Sequence, residues 1–254
     1  MIKYGLIGKP LGHSWSQQWF ESMFAREGIG NAQYRPYELD SLVGLKEWVR
    51  DEGLDGFNVT IPYKEAVIAH LDHLDPMARA IGAVNCVERQ GTQLIGHNTD
   101  APAFASTLKP LLQPYHSAAL ILGSGGASKA VAYALHELGI DYIVVSRQPH
   151  HHPGAIGYDQ ARTLASSHTL IINATPVGMS PNVSATPWPH ADLLGNRHLC
   201  YDLIYNPPRT RFLIDAEAQG AYTCNGLAML ECQAKLSWSI WLQMVASGVN
   251  SEDL

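Results

Sequence analysis

Ala118-Ala119-Leu120-Ile121-Leu122-Gly123-Ser124-Gly125-Gly126-Ala127-Ser128 passes from five apolar residues straight into a cluster of small ones. An apolar run without alternation reads as a strand covered on both faces, as in a parallel sheet. From about Ala127 to Leu138 the pattern turns helical. Gly123 permits a tight turn, and Gly125 lets a pyrophosphate approach the backbone. Ala127 or Ser128 is small enough for close packing of helix on strand. Phosphate then sits at the helix N-terminus, where unpaired N–H groups and the helix dipole favour negative charge. The pattern predicts a Rossmann-like dinucleotide-binding domain with Gly123, Ser124, Gly125, Gly126 and Ala127 around the phosphates.

The next strand, Tyr142-Ile143-Val144-Val145, ends in Ser146-Arg147-Gln148. NAD-preferring sites usually carry Asp or Glu about 20 residues beyond the turn, to bind the ribose 2′-hydroxyl; here there is no carboxylate. A guanidinium pairs with a 2′-phosphate that an acid would repel. Ser146 and Arg147 therefore predict NADP; a solvated Arg147 with mixed cofactor preference is the alternative.

Outward from this turn, strands and helices alternate. Strands are expected at 2–7, 34–39 and 56–60, helices from near Ser14 (with Ser14 or Ser16 as N-cap), over 41–50 and around 65–69, and a hairpin over 83–97. Further strands are expected at 169–173, 199–202 and 221–223. A closing helix from Gly226 to about 247 carries Leu227, Leu230, Ala234, Trp238, Trp241 and Val245 at three- and four-residue spacing. The fold class is α/β, with a mostly parallel first domain and a second nucleotide-binding one.

Composition excludes several classes. Of 254 residues 46% are hydrophobic and 16% charged, an ordinary globular balance, and the formal charge of −6 argues against nucleic acid or an anionic membrane as the main partner. No apolar run approaches the roughly 20 residues of a membrane helix, and the N-terminus shows no signal-peptide pattern. Cys86, Cys200, Cys224 and Cys232 lack CxxC spacing and read as buried free thiols, as in a reducing cytoplasm. His150-His151-His152 reads as a solvated loop, so no metal is expected.

Hydride transfer at an alcohol carbon requires an acid/base group at the same oxygen. Lys64 closes Asn58-Val59-Thr60-Ile61-Pro62-Tyr63-Lys64, just beyond a parallel strand, where open α/β sheets bind ligands. Asp100 closes His97-Asn98-Thr99-Asp100 ahead of a helix. Taken singly, Lys64 also reads as a solvated lysine and Asp100 as an N-cap.

Further segments stand in a telling order: Gly8-Lys9-Pro10-Leu11-Gly12-His13-Ser14-Trp15-Ser16, Phe57 through Lys64, Gly82-Ala83-Val84-Asn85, Gly96 through Asp100, Asn173-Ala174-Thr175-Pro176-Val177-Gly178-Met179, Tyr201-Asp202-Leu203-Ile204-Tyr205-Asn206-Pro207, and Asn225 through Leu230 followed by Gln233. Through nearly the whole chain this resembles the shikimate dehydrogenase family. The resemblance implies reversible, NADPH-dependent reduction of 3-dehydroshikimate to shikimate, on the route to chorismate and the aromatic amino acids. It implies Lys64 as acid/base and Asp100 as its orienting partner and acceptor of substrate hydroxyls. Ser14 and Ser16 would hold the substrate carboxylate with Tyr205 alongside, and Thr60, Asn85 and Gln233 would complete the polar ring. Thr175 belongs to a cofactor-domain motif, and Leu203 and Gly226 would lie near the nicotinamide. Residues 1–100 with helix 226–254 would form the substrate domain, 101–225 the cofactor domain, and a cleft between them would close on ligands. The enzyme would be a cytoplasmic monomer or homodimer acting on a small molecule.

The chain departs from the family pattern at Gln17-Gln18-Trp19-Phe20, at Ser124 where alanine is usual, and after Arg147, where a second arginine is missing and a protonated histidine is a candidate substitute. Two rivals remain. One is a quinate or dual quinate/shikimate dehydrogenase, possibly NAD-using; a serine at position 16, where the family pattern links threonine to quinate, speaks against it. The other is a non-catalytic NADP-binding sensor of the same fold.

Overall fold

The computed structural model describes residues 1–12 and 15–246; Ser14 lies outside the described residues. Contacts divide the chain into two compact units, one of Met1–Thr99 with the chain from Gln233 on, the other of Asp100–Cys232. Asp100 and the residues just after Gly226 thus fall with the second unit.

The first unit contains β1 (Ile2–Gly8), α1 (Trp15–Arg26), β2 (Ala32–Glu38), α2 (Leu45–Glu52), β3 (Gly56–Val59), β4 (His73–Leu74), α3 (Pro76–Ile81), β5 (Cys86–Gln90) and β6 (Gln93–His97). Its six-stranded sheet runs β2-β1-β3-β5-β6-β4. β1 pairs in parallel with β2 and β3, whereas β5 runs antiparallel to both β3 and β6. The hairpin is shorter than expected, because Ala83 to Asn85 form the approach to β5. The helix expected over 41–50 starts only at Leu45, after Gly44 in a left-handed conformation, and 66–70 form a 3-10 helix. β4 and α3 escaped the sequence reading: two residues are too few to show alternation, although Asp75 before Pro76 is an N-cap signal, and its carboxylate does accept from the Ala78 N–H.

The second unit contains α4 (Asp100–Leu108), β7 (Ala118–Leu122), α5 (Gly126–Glu137), β8 (Asp141–Val145), α6 (Tyr158–Ala161), β9 (Leu170–Asn173), β10 (Leu199–Asp202), α7 (Arg211–Ala218) and β11 (Tyr222–Cys224). All five strands are parallel in the order β11-β10-β9-β7-β8. Beyond β8 a further strand is reduced to one bridge, Val145 to Ile156, on its free edge. With Ile156 in that place the order is that of a doubly wound nucleotide fold, whose switch point lies between β7 and β9. As its apolar run predicted, all of β7 but Ala118 is buried, and so are the residues of β9 and β10.

The closing helix, α8 (Leu227–Ala246), starts in the second unit and ends in the first. In the first unit it covers one sheet face together with α1, around Tyr4, Phe20, Phe24, Tyr34, Cys86, Ala234 and Trp241. The fully buried Trp241 stacks on Tyr4 at 4.4 Å between ring centroids and donates its indole N–H to the Val87 carbonyl at 3.1 Å. The other face packs Ile7, Leu45, Val49, Phe57, Val67 and Val87. All four cysteines are free; Cys86 and Cys200 are buried as expected, but Cys224 and Cys232 are only half-buried. Among the described residues no helix is long and apolar enough to cross a membrane.

Trp241→Ala should cost about 3–5 kcal/mol in urea unfolding. Trp241→Phe keeps the stack, removes one buried hydrogen bond, and should cost about 0.5–1.5 kcal/mol.

Candidate active site

In the first unit the polar groups form one connected set beneath apolar helices. Asn85, 3% exposed, accepts from the Thr99 N–H at 2.7 Å and donates to Thr99 Oγ1 at 2.8 Å and to Gln233 Oε1 at 3.3 Å. Its carbonyl accepts from the side chain of Asn58, which donates also to Ser237 Oγ and accepts from the Tyr34 hydroxyl at 2.9 Å. Ser16, on α1, reaches that same hydroxyl. Ser237 in turn donates to the Gln233 carbonyl one turn back. Asn85 and Gln233, scattered in sequence, thus belong to one chain of hydrogen bonds, with Ser16 beside the Tyr34 hydroxyl at its end. Tyr34, Asn58, Thr99 and Ser237, which link them, were not among the expected site residues. With Gln233, Ser237 makes an i, i+4 polar pair on α8, but Glu231, Lys235, Ser239 and Gln243 stand on the same helix, so sequence spacing did not single it out.

The same chain of bonds holds the segment leading to Asp100. Asn98 donates to the Ala83 carbonyl at 2.9 Å, and Thr99 is held twice by Asn85. His97 stands between two carboxylates, Nδ1 at 2.9 Å from Asp75 and Nε2 at 3.1 Å from Glu88. Burial works against the imidazolium, but the bonds to Asp75 and Glu88 outweigh it and raise the pKa to about 9. Burial would likewise raise Asp75, yet its bonds with His97 and the Ala78 N–H leave it below the usual carboxylate range. Asp100 follows directly as the buried first residue of α4 in the second unit.

Lys64 is half-buried on the turn after β3, and its carbonyl accepts from the Val84 N–H at 2.8 Å. Thr60 opens that turn, donating its N–H to Ile7 and accepting at its carbonyl from the Tyr63 N–H. Strand end and turn are therefore fixed by main-chain bonds to β1 and to the segment before β5.

In the second unit Gly123 adopts φ +109°, and a side chain there would press on Thr175 at 2.8 Å. The Gly123 N–H bonds the Val145 carbonyl, and Ser128 Oγ donates back to the Gly123 carbonyl at 2.7 Å, closing the turn. At Gly125, the residue before α5, open space lies where a Cβ would stand. The main-chain N–H groups of Gly126 and Ala127 follow at the helix start, so a phosphate fits here. Ser124 Oγ lies 2.8 Å from His152 Nε2, so this histidine is bound to the turn and not merely solvated, as its run of neighbours implied. Ser146 is buried and Arg147 exposed at the end of β8. Among the described residues no cluster of His, Cys, Asp and Glu is set to hold a metal.

Three loops meet beside this turn. Thr175 donates its N–H and its hydroxyl to Asn173 Oδ1. Leu203 donates its N–H to the Asn173 carbonyl, and its own carbonyl would lie only 2.0 Å from a Cβ on Gly226. Gly123, Thr175, Leu203 and Gly226 are thereby brought together within this unit. Tyr205 is half-buried on the loop after β10, where burial raises its phenol pKa.

Fold and site define a two-unit α/β dehydrogenase with a glycine-rich strand–helix turn in one unit and a connected set of polar groups in the other. Residues 6–87 match the shikimate dehydrogenase substrate binding domain. A shikimate dehydrogenase (NADP(+)) of Thermus thermophilus is 37% identical over all of this chain and 97% of its own length. The crystal structure of shikimate dehydrogenase 1 from Peptoclostridium difficile superposes with TM-score 0.86 at 35% identity, over 96% of this chain and 92% of that one. The Thermus thermophilus shikimate 5-dehydrogenase in complex with NADP(H) and shikimate gives 0.82 at 38%, over 96% and 94%. The chain belongs to the shikimate dehydrogenase family.

The His97 cluster predicts a pH dependence of stability. A histidine whose folded pKa exceeds the unfolded 6.5 stabilises fully below that value and loses the contribution as pH rises through about 9. Asp75 acts oppositely, its contribution lost only on acidification below 3.8. The melting temperature should fall between about pH 6.5 and 9, and His97→Gln should flatten that fall in scanning fluorimetry.

Proposed function

We propose that this enzyme catalyses the reversible NADPH-dependent reduction of 3-dehydroshikimate to shikimate, on the route to chorismate and the aromatic amino acids, in the cytoplasm. The observation that carries the reading is the locked amide of Asn85. Joined to Thr99 and Gln233, it holds short hydrogen-bonding side chains in fixed places, as recognition of ring hydroxyls requires.

Bound NADPH supplies a hydride. Lys64, as an ammonium, donates a proton to the ring oxygen during reduction and withdraws it in the reverse direction. Asp100 accepts hydrogen bonds from the substrate hydroxyls, its place set by the pinned Asn98 and Thr99 before it. Thr60, Asn85 and Gln233 complete the polar ring, while Ser14, Ser16 and Tyr205 take the substrate carboxylate. In the second unit the turn from Gly123 to Ala127 receives the pyrophosphate, and Ser146 and Arg147 receive the 2′-phosphate. Thr175, Leu203 and Gly226 receive the nicotinamide end. Ser16 in place of a bulkier threonine favours shikimate over quinate.

Addition of 3-dehydroshikimate should consume NADPH far faster than NADH, and with NADP shikimate should be oxidised in preference to quinate. Absence of turnover with either cofactor would remove the enzyme assignment. Lys64→Ala should lower kcat by about 10²–10⁴ with NADPH affinity unchanged. Arg147→Ala should raise the KM for NADPH by roughly 10-fold, one charge-assisted bond, and leave that for NADH in place.

A further inference from the structure

Asp202, at the end of β10, is fully buried and takes no part in the chemistry described above. Its three hydrogen-bonded neighbours all donate. Oδ1 accepts from Asn173 Nδ2 at 2.9 Å and from the Ile204 N–H at 3.0 Å, and Oδ2 accepts from the Thr210 hydroxyl at 2.6 Å. Among the described residues no Lys or Arg forms an ion pair with it, and burial pushes its pKa up to about 6. A buried carboxylate without a countercharge is costly, offset here only by those donors.

Each donor leads to one of the loops that meet beside the glycine turn. Asn173 is the last residue of β9 and holds Thr175 through its Oδ1, so Asp202 fixes the amide that fixes Thr175. The Ile204 N–H belongs to the peptide bond whose carbonyl, that of Leu203, backs Gly226; the Ile204 carbonyl accepts from the Gly226 N–H at 3.0 Å. Thr210 caps α7, so the far end of the same loop is tied back to the carboxylate. Thr175, Leu203 and Gly226 come from three separate loops, and this single carboxylate is the hub common to their supports.

We propose that Asp202 is a positioning residue for hydride transfer: its carboxylate sets the relative places of Thr175, Leu203 and Gly226, and through them the nicotinamide. The inference rests on the cofactor reading given above. It predicts a specific division of effects, because the Gly123 to Ala127 turn and Arg147 bind the other end of the cofactor and do not hang from Asp202. Misplacement of the nicotinamide end alone slows the chemical step and leaves most binding energy intact.

In Asp202→Asn one donor must face an amide N–H in place of an oxygen. The kcat with NADPH should fall about tenfold or more, with the dissociation constant of NADPH within about twofold of the wild type. The primary isotope effect with 4-deuterated NADPH should rise as hydride transfer becomes limiting. Thr210→Val should shift kcat and isotope effect the same way, and Thr210→Ser should restore both. His198→Ala serves as a control: it breaks a buried bridge from Gly195 to Ala165 at the opposite end of the strand that Asp202 closes, and should lower the melting temperature without moving the isotope effect. If Asp202→Asn and Thr210→Val both keep the wild-type kcat and isotope effect, or if kcat and NADPH affinity fall in proportion, the proposal is overturned. A wild-type protein that turns over no NADPH would instead overturn the underlying cofactor reading.

Discussion

The stack of Trp241 on Tyr4 ties the end of the chain to its beginning, and the polar site of the first unit depends on it. Gln233 and Ser237 lie two turns and one turn before Trp241 on α8. Only because that helix packs onto the β1 face do they meet Asn58, Asn85 and Thr99, residues roughly 140 to 180 positions away. The aromatic cluster around Trp241, including Phe20 at 5.5 Å and Tyr34 at 6.4 Å between centroids, supplies the apolar burial that holds the helix in this register.

Under that apolar cover a line of amides and hydroxyls would be unstable if any member lacked a partner. Here Tyr34, Asn58, Asn85, Thr99 and Ser237 bond one another, and the hydroxyl of Tyr4 is the one buried side-chain atom among the described residues left without a partner. Satisfaction makes the line rigid, and rigidity is what a site for a small polyol needs, since the groups facing the ligand must be held in place.

The second unit solves a different problem with the same means. Parallel strands all end at one edge, so their loops must be shaped without a neighbouring strand to pair with. Side chains take that role: Ser128 closes the glycine turn, Asn173 shapes the loop after β9, and Asp202 anchors the loop after β10. The glycine turn was legible because its residue types have few other uses at a strand–helix junction. Asp202 stands within the motif from Tyr201 to Pro207, but nothing in its sequence neighbours distinguishes a solvent-facing carboxylate from a buried hub.

The sequence by itself determined what local rules can decide. The apolar run of β7 and the alternation of strands with helices named the mostly parallel α/β class, Gly123 and Gly125 named the dinucleotide turn, and the order of motifs named the family. It also placed Lys64 and Asp100 at strand ends. Only the tertiary structure decided which polar residues hold one another. It brought Tyr34 and Ser237 into the site, bound His152 to Ser124, set His97 between Asp75 and Glu88, and reduced the strand at Ile156 to one bridge. The physical reason is range: helix and strand periods arise between near neighbours, whereas a hydrogen bond under a packed helix depends on burial supplied from the far end of the chain.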